Sequence, residues 1–279
     1  MRALGIDVGV GKGLDLVVLD DERTPSPVLG RASLDDVAKA VKEYRPDIVA
    51  VDSPPSWAAG GKSRLTENEL ARLNIHAFRT PSRAHGTGRQ FDWMRSGMAV
   101  FELVAALGYP LFNGGTFRRR AIEVFPHATA AVLAGCLPPK GMRKREWRAH
   151  VLRLQRVRTE QLTTVDRLDA ALAALTGLLA LDGHASFLGD MKEGVIVVPS
   201  RALSPTYRAG RIADDGSAQL FTWCACGDAT CERQVLAGRE FAPGHDAKRK
   251  SRLWRQAREG QDAIEELRRR RWELPPEMA

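Results

Sequence analysis

Short β-branched apolar runs, each closed by an acidic residue, a glycine or a proline, punctuate residues 3–199 of this chain. Ala3-Leu4-Gly5-Ile6-Asp7-Val8-Gly9 is one, Asp47-Ile48-Val49-Ala50-Val51-Asp52 a second, Ala121-Ile122-Glu123-Val124-Phe125 a third, and Gly194-Val195-Ile196-Val197-Val198-Pro199 a fourth. Runs this apolar and this short read as buried strands. Leu14 to Leu19 reads as a further strand, joined to the first through Gly9, Gly11 and Gly13 in a tight hairpin. Between the runs the period changes. Leu34 to Tyr44 has apolar residues at 34, 37, 38 and 41, a helical spacing, and Pro46 stops it. Glu67 to Leu107 reads as helix, polar loop (Thr80 to Gln90) and helix; another helix follows Pro126, and Leu168 to Leu181 is the most apolar. Strands alternating with helices imply an α/β fold, a mixed β-sheet flanked by helices.

The positions of certain carboxylates stand out against this pattern. Asp7 and Asp52 close strands, Glu123 lies inside a strand so apolar that an unpaired charge there is costly, and Asp166 and Asp169 share one face of a helix at i, i+3. Carboxylates gathered in one cleft repel each other and take up protons unless a cation is present. Hard divalent ions such as Mg²⁺ or Mn²⁺ resolve this with a few carboxylates, and two of them about 4 Å apart suit phosphodiester hydrolysis. Taken singly, Asp7 also suits a turn, Asp52 also precedes a proline turn, and Asp166 also suits a helix cap, so spacing leaves both uses open.

The span from Leu4 to Pro199 resembles the DUF429 family, described as predicted nucleases with an RNase H-like fold. The matching pieces are Gly5-Ile6-Asp7, Ala50-Val51-Asp52-Ser53-Pro54-Pro55, Glu123-Val124-Phe125-Pro126-His127-Ala128 and Asp169-Ala170-Ala171-Leu172; weaker ones are Glu69-Leu70-Ala71-Arg72 and Lys140-Gly141 with Arg148. Asp166-x-x-Asp169-Ala also looks like the closing acidic motif of the RuvC-type junction resolvases, another branch of that fold. The resemblance implies a mixed five-stranded sheet whose first three strands are antiparallel, with Asp7, Asp52, Glu123 and Asp169 meeting at one edge of the strands' carboxyl ends. It implies a metal-dependent nuclease in which those four hold Mg²⁺ or Mn²⁺ for two-metal-ion catalysis and Asp166 supports them.

Charge fits a polyanionic partner. Lys and Arg total 42 against 34 Asp and Glu, a formal net charge of +8. The excess is concentrated. Arg118-Arg119-Arg120 precedes Glu123, and Lys140 to Arg158 carries Lys140, Arg143, Lys144, Arg145, Arg148, Arg153, Arg156 and Arg158 against Glu146. The loop from Arg79 to Arg95 interleaves Arg79, Arg83, Arg89 and Arg95 with Phe91 and Trp93. Cations along a phosphate track and aromatic faces for bases are what a nuclease needs; Arg79, Arg118, Arg119, Arg120, Lys140, Lys144 and Arg148 are therefore the candidate nucleic-acid contacts. A solvated helix face is the plainer use of any one basic segment.

Other readings of the start fail or rank lower. Gly9 to Gly13 does not make a P-loop, because Lys12 is followed by Gly13 rather than Ser or Thr. An ATP-binding relative of actin and the sugar kinases opens with a similar Asp-x-Gly hairpin, but needs a second such loop that the chain lacks. A non-catalytic RNase H-like scaffold that binds nucleic acid or protein stays open. Met1 to Asp7 has a carboxylate where a signal peptide would not, and no apolar stretch is long enough to span a bilayer, so a reducing cytoplasmic location with no membrane partner is expected.

Three domains of composition follow: residues 1–199, a Ser-, Pro- and Gly-containing linker at 200–220, and a C-terminal module at 221–279. The module holds Cys224, Cys226, Cys231 and His245, a ligand set for tetrahedral Zn²⁺ that would help a short polar segment fold. Phe241-Ala242-Pro243-Gly244-His245-Asp246-Ala247-Lys248 resembles a small recurrent bacterial module. Its closing helix mixes Arg268 to Arg271 with acidic residues, which leaves nucleic-acid docking and a protein partner equally open.

Overall fold

The computed structural model describes residues 1–9, 11, 13–212, 218–219, 221–223 and 234–236, with Lys250, Leu253 and Leu267. It divides into two compact units, Met1–Ala218 and Gln219–Ala279. In the first unit the strands are β1 (Arg2–Val8), β2 (Leu14–Asp20), β3 (Pro25–Ala32), β4 (Ile48–Asp52), β5 (Arg120–Val124), β6 (Ser186–Asp190) and β7 (Gly194–Val198). The helices are α1 (Leu34–Tyr44), α2 (Leu65–Arg72), α3 (Asp92–Ala106), α4 (Pro126–Ala134), α5 (Lys144–Leu154) and α6 (Val165–Leu181). In the second unit Phe221–Trp223 pairs antiparallel with Gln234–Leu236. The expected zinc ligands Cys224, Cys226, Cys231 and His245 lie outside the described residues, as do Arg268 to Arg271.

One seven-stranded mixed sheet runs β3-β2-β1-β4-β5-β7-β6. β1, β2 and β3 are antiparallel neighbours, β1, β4, β5 and β7 are parallel, and β6 turns back antiparallel on β7. The order 3-2-1-4-5 with an antiparallel leading meander is the RNase H-like arrangement. The sheet is wider than the five strands expected. β6 supplies one of the extra strands, and its sequence Ser-Phe-Leu-Gly-Asp carries no apolar run because it is a partly exposed edge. Among the described residues no helix is long and apolar enough to cross a membrane.

Each face of the sheet has its own cover. Leu4, Ile6 and Val8 of β1 and Val49 and Val51 of β4 share a core with Val37 and Val41 of α1 and Val100 and Val104 of α3. Residues of the other parity, Ala3, Gly5 and Ala50, face α6. Here the approach is close. A Cβ on Gly5 would fall 2.0 Å from the carbonyl oxygen of Ala170 and 2.5 Å from the nitrogen of Ala174. One turn further along α6, a Cβ on Gly177 would fall 2.9 Å from Ile48 and 3.2 Å from Ala3. Small residues on both partners let the helix axis lie nearer the strands than side chains of ordinary size permit. α6 is in turn tied to α4 by a buried hydroxyl pair, Thr129 with Thr176, at 2.8 Å. Beyond β7 the chain returns to this unit: Tyr207 is buried, its N–H donates to Leu73, and the N–H of Gly210 donates to Leu137.

Gly5→Ala should therefore push α6 away from β1, and a loss of about 1–3 kcal/mol in unfolding free energy is expected. Gly60→Ala, where an added Cβ meets nothing within 4 Å, is the control and should stay within about 0.5 kcal/mol of wild type. Equal, small effects of the two substitutions in denaturant melts would contradict the close packing.

Candidate metal centre

Strand register and helix approach together build the site. Asp7 and Asp52 are direct neighbours across the parallel β1–β4 pair, at the carboxyl ends of both strands. Both have the parity of Gly5 and Ala50, so both side chains rise on the α6 side. Asp169 immediately precedes Ala170, the residue whose carbonyl oxygen abuts Gly5. The contact that brings the helix onto β1 thus delivers Asp169 as well. Carboxylate oxygens of Asp7, Asp52 and Asp169 lie within 4.8 Å of one another. Asp7 and Asp169 are buried, and Asp52 is half-buried.

The electrostatics are those of crowded like charge. Burial, then Asp169, Asp166 and Asp15, push the Asp7 carboxyl up to about 8, against the opposing pull of Lys144. Burial and the charges of Asp7 and Asp169 push Asp52 well above the usual carboxylate range. Protons occupy the cluster where nothing else supplies positive charge. Asp15 is a contributor that sequence reading passed over. It stands opposite Asp7 in the β1–β2 register and is buried, and only the pairing reveals it.

Asp169 has two cationic partners, both from α5. Nζ of Lys144 lies 2.7 Å from one of its oxygens and Nε of Arg148 lies 2.7 Å from the other. Arg148 is buried and also donates to Nδ1 of His127 at 3.3 Å, whereas the Lys144 side chain is exposed. Burial, then the charges of Arg148 and Lys144, lower His127 to about 4, so its ring is neutral at physiological pH. Lys144 and Arg148 were expected on a phosphate track; the structure sets them against the acidic cluster itself. The donor set nevertheless fits a hard divalent cation: three carboxylates, mutually repelling, with one exposed and displaceable ammonium.

Glu123 does not join the three aspartates. It pairs in register with Val51, a residue of the opposite core, so its side chain leaves the sheet on the other face. There Arg64 grips it with two hydrogen bonds, Nη1 to Oε2 at 2.8 Å and Nη2 to Oε1 at 2.6 Å. Nε of Arg64 also donates to Glu67 at 3.0 Å, and Glu67 accepts the backbone N–H groups of Arg64 and Thr80. Burial pushes the Glu123 carboxyl up and Arg64 partly offsets it. The charge that needed a partner therefore finds it in an arginine. No local sequence signal pointed to Arg64, which lies 59 residues away.

The other expected contacts are spread over the surface. Arg118 pairs with Asp47, and Arg119 lies over the ring of Tyr109 at 4.3 Å, its Nη1 donating to the hydroxyl. With Arg120, the first residue of β5, these sit at the amino ends of the parallel strands, about four residues or 13 Å of strand from the aspartates. Arg79 is exposed in the loop before Thr80, and Lys140 is exposed ahead of α5. Asp166 is half-buried one turn before Asp169.

A family model described as a protein of unknown function (DUF429) matches residues 5–193. No curated protein matches the chain. Among solved structures the chain is similar to Thermus thermophilus RuvC, at 17% identity over 63% of this chain and 92% of that one, with a TM-score of 0.35. It is also similar to T. thermophilus RuvC in complex with Holliday junction substrate, at 18% identity over 66% of this chain and 96% of that one, with a TM-score of 0.36.

A pH dependence follows from Asp7. Its folded value of about 8 lies above the ordinary 3.8, so between these limits the folded chain holds a proton that the unfolded chain releases. Its contribution to stability is complete below about pH 4 and is lost as pH rises towards 8. Mn²⁺ should reverse that loss. At a hundredfold excess over Kd, thermal melts at pH 8.5 should gain about 2.7 kcal/mol, and the gain should shrink at pH 5.5, where protons compete. Asp7→Asn should abolish both the metal gain and its pH dependence; an equal gain in the variant would contradict the assignment.

Proposed function

The chain belongs to the DUF429 family, and on that footing we propose that it is a divalent-metal-dependent nuclease acting on phosphodiester bonds of nucleic acid. The observation that carries this reading is the convergence of Asp7, Asp52 and Asp169, from two strands and a helix, to within 4.8 Å. Asp7, Asp52 and Asp169 would hold Mg²⁺ or Mn²⁺, with Asp166 in support. Bound there, such ions supply the charge that activates water for attack on phosphorus and stabilises the departing oxygen. Arg148, locked between Asp169 and His127, keeps the Asp169 carboxylate oriented. Lys144, exposed at the start of α5, turns to a phosphate oxygen, and the exposed Lys140, Arg143 and Arg145 extend the track along which the backbone lies.

One observation favours a second reading. Lys144 and Arg148 already neutralise Asp169, as they would in a binding scaffold with no need of metal. The two readings part in a single assay series with single- and double-stranded DNA and RNA. The nuclease reading expects cleavage that requires Mg²⁺ or Mn²⁺ and falls by at least about 100-fold in Asp7→Asn and Asp169→Asn. Salt-sensitive binding without turnover, or variants that cleave as well as wild type, would overturn it.

A further inference from the structure

Beside the carboxylate cluster lies a cavity of about 160 Å³ that shares Asp52 with it. Its walls include Ser53, Phe78, Trp93 and Phe125, and its floor is the buried Arg64–Glu67–Glu123 network. The nuclease reading leaves all of these unused. The size excludes most candidates. It far exceeds the room one water needs, yet falls short of the roughly 300–1,000 Å³ of sites for drug-sized ligands. A single flat ring system is the natural occupant.

The walls supply faces for such a ring. Phe78 is 58% exposed, an unusual place for a phenyl group, and meets Trp93 edge-on at 5.8 Å and Phe91 at 6.2 Å. An aromatic rim of this kind stacks on nucleobases. The floor is an ion-pair network. Each carboxylate oxygen can accept two hydrogen bonds. Both oxygens of Glu123 take one from Arg64, and Oε1 of Glu67 takes one from Arg64 Nε. With Glu67 Oε2 taking the N–H groups of Arg64 and Thr80, the floor is largely satisfied from within. Ser53 is buried in the cavity wall, with its Oγ against Gly97 of α3.

We propose that this cavity is a nucleobase pocket, that it receives a base turned out of the strand beside the phosphate at the Asp7–Asp52–Asp169 cluster, and that it prefers a purine. A purine presents the larger face to stack on such a rim. The single ring of uracil or thymine covers less of that rim. The inference rests on the nuclease reading for what the pocket serves, but its test does not depend on cleavage.

The test uses the full chain stripped of metal with a chelator. Tryptophan fluorescence is titrated with guanosine 5′-monophosphate and with uridine 5′-monophosphate, ribose 5-phosphate serving as the control for the phosphate alone. Guanosine monophosphate should quench and bind at least tenfold more tightly than uridine monophosphate. Trp93→Phe should remove most of the quench. Phe78→Ala should weaken guanosine monophosphate by about tenfold, the range of one stacking contact, while its exposed position leaves the melting temperature unchanged. Equal affinity for the two nucleotides, affinity matched by ribose 5-phosphate, indifference to Phe78→Ala, or no quenching into the millimolar range would each overturn the pocket. Metal-dependent cleavage without base selection would remove the pocket and leave the nuclease; selective binding without cleavage of any substrate would do the reverse.

Discussion

The approach of α6 to β1 governs the site. A glycine at position 5 removes the side chain that would separate them, and the alanine-rich face of the helix does the same from its side. Asp169, next to the point of contact, is then carried to the ends of the two central strands. A valine or leucine at Gly5 would fit a buried strand in isolation, since its neighbours Leu4 and Ile6 are apolar and buried, yet it would hold Asp169 away from Asp7 and Asp52. Packing geometry and ligand geometry are one constraint here.

Bringing the aspartates together has an electrostatic cost, which the molecule meets in two ways. Protons remain on Asp7 and Asp52 well above their ordinary range, and Lys144 and Arg148 neutralise Asp169. The two cations differ in kind. Arg148 is buried and hydrogen-bonded to His127, a structural clamp; Lys144 is exposed and free to exchange its partner. A site that holds protons and an exposed ammonium on buried carboxylates is poised to exchange them for a stronger cation. On the other face of the sheet, the Arg64–Glu67–Glu123 network is closed by its own arginine and lacks that capacity. The two buried acidic groups therefore differ in role although both lie at the same end of the strands.

Much of this was legible in the sequence, for identifiable reasons. Strand ends announced Asp7 and Asp52, because an acidic residue closing an apolar run has few other places to go. The i, i+3 pair Asp166 and Asp169 opens the long, largely buried helix α6. The alternation of runs and helices supplied the sheet and its flanking layers, and the DUF429 resemblance is matched by a family model over residues 5–193. Glu123 misled because side chains alternate faces along a strand: whether it rises with Asp52 or points away depends on register between β4 and β5, which no single sequence contains. Arg64 and Asp15 went unnoticed because their partners are set by pairings across the sheet. Lys144 and Arg148 were singled out for their charge, but a basic segment does not reveal which carboxylate it will meet. β6 stayed hidden because an edge strand need not be apolar.

The most direct examination of the account is a crystal of the full chain soaked in Mn²⁺ and measured for anomalous scattering. A peak bounded by Asp7, Asp52 and Asp169, with Lys144 displaced from Asp169, is expected. Three aspartates found in their places with no peak between them, and Lys144 still on Asp169, would contradict it.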